Sequence, residues 1–127
     1  MKAERLASAQ GIPMKFLQSI LAELRLAGIV RSQRGSEGGW WLAKPAADVT
    51  LADVVRAVEG PLATVRGQRP HELEYTGAAT ELQSVWIAVR ASLRGVLETV
   101  TLADLAAGRL PPEIVRISEN PEAWLRR

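Results

Sequence analysis

The stretch from residue 25 to residue 44, RLAGIVRSQRGSEGGWWLAK, constrains the fold more than any other part of the chain. A helical pattern runs to Ala27, and Gly28 ends it because glycine readily adopts the left-handed conformation that terminates helices. Two short apolar segments, residues 29–30 and 40–42, then flank a charged, glycine-rich turn. This order predicts a basic β-hairpin directly after a helix, shaped to contact a phosphate backbone or enter a minor groove.

The segment before the hairpin predicts a helix-turn-helix. Residues 2–9 form a short helical stretch, and residues 10–12 form a glycine-containing turn. Pro13 suits the first turn of a second helix, because its missing N–H has no helical partner there. As far as Ala27, apolar residues recur at helical spacing: Leu17, Ile20, Leu21 and Leu24. A short helix, a glycine turn and a longer helix together match the helix-turn-helix pattern.

The positive charge of the chain is concentrated at this end. Residues 1–44 contain seven basic and three acidic residues, a net charge of +4, and the remaining residues carry −2. The basic excess coincides with the predicted helix and hairpin, which is a modest electrostatic footprint for nucleic acid. A difference of this size also arises by chance.

A linker, a helix and a loop follow the hairpin. Residues 45–49 are the linker, and Thr50 N-caps a helix over residues 51–58, with Asp53 at the capping-box position. The buried stripe of this helix consists of Leu51, Val54, Val55 and Val58. Residues 61–77 carry prolines and glycines with little periodicity, which predicts a loop that is disordered in part.

The longest predicted helix spans residues 78–99. Its apolar residues repeat at intervals of three and four, namely Leu82, Val85, Trp86, Val89, Leu93, Val96 and Leu97. This stripe either packs on its own domain or pairs with a second copy, and we favour the dimer interface because the first domain is small. Thr101 caps a short helix over residues 102–107, and a proline-containing tail drapes over a neighbouring part of the protein.

These elements predict a mostly α-helical fold with a small β-hairpin wing. Residues 1–60 form a winged helix-turn-helix domain, and residues 61–77 form the loop. Residues 78–110 hold the dimerisation helix and the short helix, and residues 111–127 form the C-terminal tail.

Double-stranded DNA is the partner that these elements suit. Side chains near the start of the second helix are expected to reach base edges: Pro13, Met14, Lys15, Gln18 and Ser19. Wing and phosphate contacts are expected from Arg25, Arg31, Ser32, Arg34, Gly35, Ser36 and Lys44. Arg34 is placed to enter the minor groove, where the potential is most negative. Gly35, Gly38 and Gly39 are expected to let the backbone approach DNA closely.

Several other functions find no support in the composition. The chain contains no cysteine, which excludes disulfides and thiolate-ligated metal within this sequence. His71 is the only histidine, and no nucleotide-binding or hydrolase motif is present. No signal peptide or membrane-spanning run occurs. We therefore expect a soluble, cytoplasmic protein that is not an enzyme and uses no cofactor or metal.

Several segments are similar to the Rrf2 family of bacterial winged-helix regulators, which includes IscR, NsrR and CymR. The likeness covers nearly the whole chain outside the loop and the tail. It is most specific in the wing pattern RSxRGxxGG and the triplet EGP at residues 59–61. The matching segments are residues 12–24, 27–32, 34–35, 38–39, 42–43, 54–61, 82–86 and 100–105.

The resemblance implies a homodimer that binds a palindromic operator, usually as a repressor. The long helix would cross to the partner subunit. Arg34 corresponds to the family's minor-groove arginine. Pro13, Lys15 and Gln18 correspond to its base-proximal positions. The residue types at these positions differ from those of other members, so the resemblance does not carry over an operator sequence.

The chain departs from the family pattern in two ways. Cluster-binding members carry three cysteines in the loop before the long helix, whereas residues 61–81 contain none. The resemblance therefore places this chain beside members without a cluster, whose effectors are small molecules, partner proteins or unknown. Family members also begin with a further helix, which has no counterpart ahead of Lys2. Without that helix, Leu6, Leu21 and Leu24 are expected to lose cover. A late start codon, a trimmed sequence or a degenerate member with impaired DNA binding would each explain its absence.

One alternative from a different functional class remains open. A winged helix can also serve as a protein–protein interaction module with weak or no specific DNA binding. The modest net charge and the absent first helix favour this alternative.

Overall fold

The helix-turn-helix and hairpin predicted from the sequence are both present in the computed structural model, which describes residues 1–126. The described residues are mostly helical and include one two-stranded antiparallel sheet, so the predicted fold class is confirmed. The elements are α1 (Ala3–Gln10), α2 (Met14–Leu26), β1 (Val30–Gln33), β2 (Gly39–Leu42), α3 (Leu51–Glu59), α4 (Leu82–Leu97), α5 (Leu102–Ala107) and α6 (Pro112–Glu119).

A small core joins α1 to α2. Gly11 ends α1 in the left-handed conformation, with φ of 62°, and turns the chain into α2. Leu17 and Leu21 on α2 then pack against Ala3 on α1, with Leu6 and Trp40 partly buried around them. The expectation that Leu21 lacks cover was wrong, because its side chain is 6% exposed. Leu6 and Leu24 are partly buried.

The hairpin joins β1 and β2 in a register that runs from Val30 opposite Leu42 to Gln33 opposite Gly39. The backbone of Met1 lies alongside β2 and exchanges two hydrogen bonds with Trp40. The Trp40 N–H donates to the Met1 carbonyl at 2.7 Å, and the Met1 amino group donates to the Trp40 carbonyl at 3.0 Å. These bonds tie the start of the chain to the wing.

Two glycines of the wing are required by the protein's own backbone. A Cβ at Gly38 would lie 2.1 Å from the Gln33 carbonyl oxygen, and one at Gly39 would lie 2.7 Å from the Met1 carbonyl oxygen. Both glycines are buried. They therefore permit close packing within the fold, and of the three glycines expected to approach DNA only Gly35 is exposed.

One five-residue sequence, Val-Thr-Leu-Ala-Asp, occurs at residues 49–53 and again at residues 100–104. Each copy starts a helix with a capping box, in which threonine and aspartate exchange hydrogen bonds between side chain and backbone. The threonine oxygen accepts from the aspartate N–H at 3.1 Å in both copies. Both threonine caps, at Thr50 and at Thr101, are thus confirmed.

The two copies pair with each other. Leu51 N–H donates to the Val100 carbonyl and Leu102 N–H donates to the Val49 carbonyl, both at 2.9 Å, around an antiparallel bridge between the threonines. Val49 is 0% exposed and Val100 is 2% exposed. The predicted linker therefore ends in the core and fixes the start of α3 against the start of α5.

The loop before α4 is anchored. Leu62, Pro70 and Leu73 are buried, and the backbones of Val65 and Gln68 exchange hydrogen bonds of 2.8 and 3.0 Å. The predicted helix begins late, since a 3₁₀ turn at Gly77–Ala79 precedes α4.

The segment predicted as a tail contains a helix. α6 begins at Pro112, where the missing N–H costs nothing, and it buries Ile114. A 3₁₀ turn at Pro121–Trp124 follows. The Glu122 N–H in this turn donates a hydrogen bond to the Asn120 side chain. Arg127, the last residue of the predicted tail, lies outside the described residues.

Candidate nucleic-acid interface

A cleft of about 400 Å³ lies between the start of α1, the exposed side of α2 and the wing. It brings residues expected to contact bases together with residues expected to contact phosphate. We call it the wing cleft. Its polar and charged lining comes from three basic residues, one acidic residue and three uncharged ones, namely Lys2, Arg25, Arg34, Glu4, Gln18, Ser32 and Gln33.

The start of α2 presents three polar side chains to solvent. Lys15, Gln18 and Ser19 are exposed, and Pro13 forms the exposed N-cap. Met14 differs from them because it is half-buried and packs against the core of α1 and α2. Packing therefore accounts for the Met14 side chain, although its edge also reaches the wing cleft.

Two hydrogen bonds hold the wing against the helices. The Arg25 guanidinium on α2 donates to Ser32 Oγ on β1 at 3.4 Å. Lys2 Nζ donates to the Gly35 carbonyl oxygen at the hairpin tip at 2.7 Å. Sequence reasoning counted Lys2 only in the basic excess and missed this contact, because the two residues are far apart in the chain.

The strand alternation divides the predicted phosphate contacts between two faces of the hairpin. Ser32 faces α2, while the neighbouring Arg31 points to the opposite face of the hairpin. There the Arg31 guanidinium lies 6.0 Å from the ring centre of its cross-strand partner Trp41, within the range of a cation–π interaction. Arg31 is therefore held on the outer face of the wing, away from Arg25.

The wing tip is exposed. Arg34, Gly35 and Ser36 are all accessible, as is Lys44 beyond β2. Within residues 1–126, Arg34 forms no ion pair or hydrogen bond through its side chain. A positively charged side chain at the tip is thus free to meet an external anion.

The apolar stripe of α4 lies on one side of the helix, but its side chains are covered to different extents. Leu82, Val85, Val89 and Leu93 are exposed, between 38% and 50%, and form an open apolar face. Trp86, in contrast, donates through Nε1 to the Tyr75 hydroxyl at 3.0 Å. Leu97 is half-buried in a cleft with Val55 and Leu62, whose edge Leu93 also reaches, and Val96 is half-buried. Trp86, Val96 and Leu97 are therefore partly covered by the chain itself, whereas the open face stays accessible.

Comparison with known proteins adds to this geometry. The Rrf2 family model, described as an iron-dependent transcriptional regulator, matches residues 1–108. The chain belongs to the Rrf2 family. It is a helix-turn-helix transcriptional regulator, as its sequence predicted.

Named relatives agree with this assignment. A Mycobacterium tuberculosis protein named as an HTH-type transcriptional regulator is 48% identical over 122 residues, which cover 96% of this chain and 76% of that protein. The structure of CymR, the global cysteine regulator of B. subtilis, gives a TM-score of 0.68 at 31% identity, covering 84% of this chain and 78% of CymR. The structure of T. potens IscR gives a TM-score of 0.62 at 30% identity, covering 100% of this chain and 75% of IscR.

The iron named in the family description finds no matching ligand set here. The sequence has no cysteine, so it supplies no thiolate for an iron–sulfur cluster. No three His, Asp or Glu residues are grouped for metal binding in the part of the chain that the structure describes. His71 is exposed, with Nε2 lying 3.9 Å from a carboxylate oxygen of Glu72. Across residues 1–126, no helix combines the length and hydropathy of a membrane span.

Proposed function

We propose that this Rrf2-family regulator binds a palindromic operator as a homodimer and represses transcription. The start of α2, through Lys15, Gln18 and Ser19, reads base edges in the major groove. Arg34 enters the adjacent minor groove. The regulator performs this task in the cytoplasm, without catalysis and without an iron–sulfur cluster held by this sequence.

The wing cleft is the observation that carries the proposal. Gln18 is a donor and acceptor that suits adenine, and it lines the same cleft as Arg34. The Arg25–Ser32 and Lys2–Gly35 hydrogen bonds set the wing at a fixed position relative to α2. A preset spacing between helix and wing favours binding to neighbouring grooves of one duplex, because less freedom is lost on binding.

The open face of α4 supports the homodimer. Four aliphatic side chains in helical succession lie on one side, Leu82, Val85, Val89 and Leu93. Contiguous exposed apolar residues of this kind mark association surfaces. A two-fold dimer would present two copies of α2, as a palindromic site requires.

The test is a binding titration with the DNA upstream of the protein's own gene, by gel shift and fluorescence anisotropy. We expect Arg34→Ala to weaken binding about tenfold or more. It should also reduce the slope of log affinity against log salt concentration by about one unit, since one positive charge close to the phosphates is lost. Arg109→Ala is the matched control, because Arg109 is exposed beyond α5. Weak binding to every DNA sequence, unchanged by Arg34→Ala, would exclude specific repression.

Salt dependence separates this function from a protein-binding module. Phosphate contacts release counterions, so the affinity for DNA should fall steeply between low and moderate salt. A weak affinity for DNA that does not change with salt would favour the protein-binding alternative instead.

A further inference from the structure

A second cleft, of about 600 Å³, lies far along the chain from the wing, between α3, α4 and the loop that joins them. We call it the four-arginine cleft. Its charged lining is one glutamate, Glu98, and the arginines Arg56, Arg69, Arg90 and Arg94; Gly60, Pro61 and Leu62 complete it. Four cations facing one anion leave the cleft with a large positive excess.

One carboxylate oxygen serves two of the arginines. Glu98 Oε1 accepts from Arg56 on α3 at 2.6 Å and from Arg94 on α4 at 2.9 Å. These hydrogen bonds, with the charges of both arginines, lower the pKa of Glu98 to about 2. Glu98 is therefore ionised at neutral pH and neutralises part of the charge of this pair.

The other two arginines have no such partner. Arg69 on the loop and Arg90 on α4 form no ion pair within residues 1–126. Arg90 is half-buried and lies one helical turn before Arg94, so it stands on the inner side of α4. A cation that lines a cleft without a paired anion is available to an anion that enters the cleft.

We propose that the four-arginine cleft binds a small metabolite that carries a phosphate monoester. Guanidinium groups bind phosphate oxygens through paired, charge-assisted hydrogen bonds. Arg69 and Arg90 together match the double negative charge of a phosphate monoester. The volume exceeds that of phosphate alone and falls in the range of small-molecule sites, with Pro61 and Leu62 available to an organic body.

The shape of the site favours a small ligand over a DNA backbone. The four-arginine cleft is a concave space open to solvent and bordered by three segments of the chain, whereas the wing offers an exposed, protruding cation. Its walls also connect two parts of the regulator, since α3 packs against α2 and α4 carries the open apolar face. The binding itself does not depend on the proposed repressor function.

Isothermal titration calorimetry of the full chain tests the site, with glycerol 3-phosphate and inorganic phosphate as probes and sodium chloride at matched ionic strength. We expect saturable binding of both phosphates. Arg90→Ala should weaken it about tenfold or more. Glu98→Gln should strengthen it about threefold or more, because it removes the competing charge and frees Arg56 and Arg94. Arg116→Ala, an exposed arginine on α6, should leave it unchanged.

Arg90→Ala and Glu98→Gln are expected to change the affinity for phosphate in opposite directions, which distinguishes an effect at the site from a loss of folding. Loss of binding in Arg90→Ala through misfolding would not produce a gain in Glu98→Gln. Absence of saturable binding, equal weakening by Arg116→Ala, or weakening by Glu98→Gln would each overturn the proposal. Equal loss of DNA affinity and phosphate affinity in Arg90→Ala would reassign the arginines to the DNA backbone and would also overturn it.

Discussion

Helices α2 and α4 carry apolar stripes of the same kind but end in different surroundings. On α2, Leu17 and Leu21 are nearly inaccessible because α1 covers them. On α4, Val85 is 50% exposed and no residue of the helix is fully buried. An apolar repeat at helical spacing therefore predicts a helix and a face that favours burial. It does not say whether the cover comes from the same chain or from a second molecule.

The largest expected effect comes from shortening a buried side chain in the apolar stripe of α2. Leu21→Ala should lower the free energy of unfolding by about 2–5 kcal/mol, because it removes buried atoms and leaves a cavity. Leu26→Ala on the same helix is the matched control, since Leu26 is 85% exposed. We expect it to change stability by less than about 0.5 kcal/mol. Urea unfolding of both variants measures the difference, and equal effects would contradict it.

A substitution in the open apolar face of α4 should change dimer association rather than folding. Val89→Glu should raise the dissociation constant of the proposed dimer about 100-fold, because an unpaired carboxylate would be buried in an apolar interface. Ser84→Glu introduces the same charge about 140° away around α4 and should have little effect. Sedimentation equilibrium over a range of concentrations measures both. A Val89→Glu protein that remains dimeric would place the interface elsewhere.

The repeated capping boxes offer a smaller and more symmetrical comparison. Thr50→Ala and Thr101→Ala should each lower the free energy of unfolding by about 1 kcal/mol, because each leaves a helix N–H without its acceptor. Thr64→Ala is the control, since Thr64 is exposed and caps no helix. Thermal and urea unfolding would detect the change. Unequal costs would show that the surroundings of the two helices outweigh the identical local sequence.

The smallest effect concerns the inner side of α4. The pKa of Glu98 is lowered to about 2, mainly by hydrogen bonds from Arg94 and Arg56. A depressed carboxyl pKa means that the ion pair contributes stability above the unfolded value near 4.5, and that this contribution is lost as the pH falls toward 2. Glu98→Gln should make the free energy of unfolding less dependent on pH between these two values. Unfolding measured at pH 5, 3 and 2 tests this, and parallel curves for the two proteins would contradict it.

Local sequence signals were sufficient for much of the fold. Periodicity and turn residues predicted a helix over residues 13–27, and the structure has α2 at Met14–Leu26. The hairpin and the caps at Thr50 and Thr101 also follow from neighbouring residues. The sequence pattern does not reveal α6, because the prolines at 111 and 112 suit an irregular tail as well as the first turn of a helix.

The candidate sites depended more on contacts between distant segments. The helix and the hairpin that border the wing cleft were predicted, because each follows from neighbouring residues. The Lys2–Gly35 bond was not, since the two residues are 33 positions apart. The four-arginine cleft draws on residues from 56 to 98, and no local pattern marks them as neighbours.

The sequence by itself determined the helix-turn-helix, the basic wing and the amphipathic character of α4. These features arise from interactions within a few residues: caps, turns and apolar spacing. Only the tertiary structure decided which apolar side chains are covered, which wing residues share a face and which arginines meet. Those outcomes depend on burial and charge pairing between segments far apart in the chain, which no local pattern encodes.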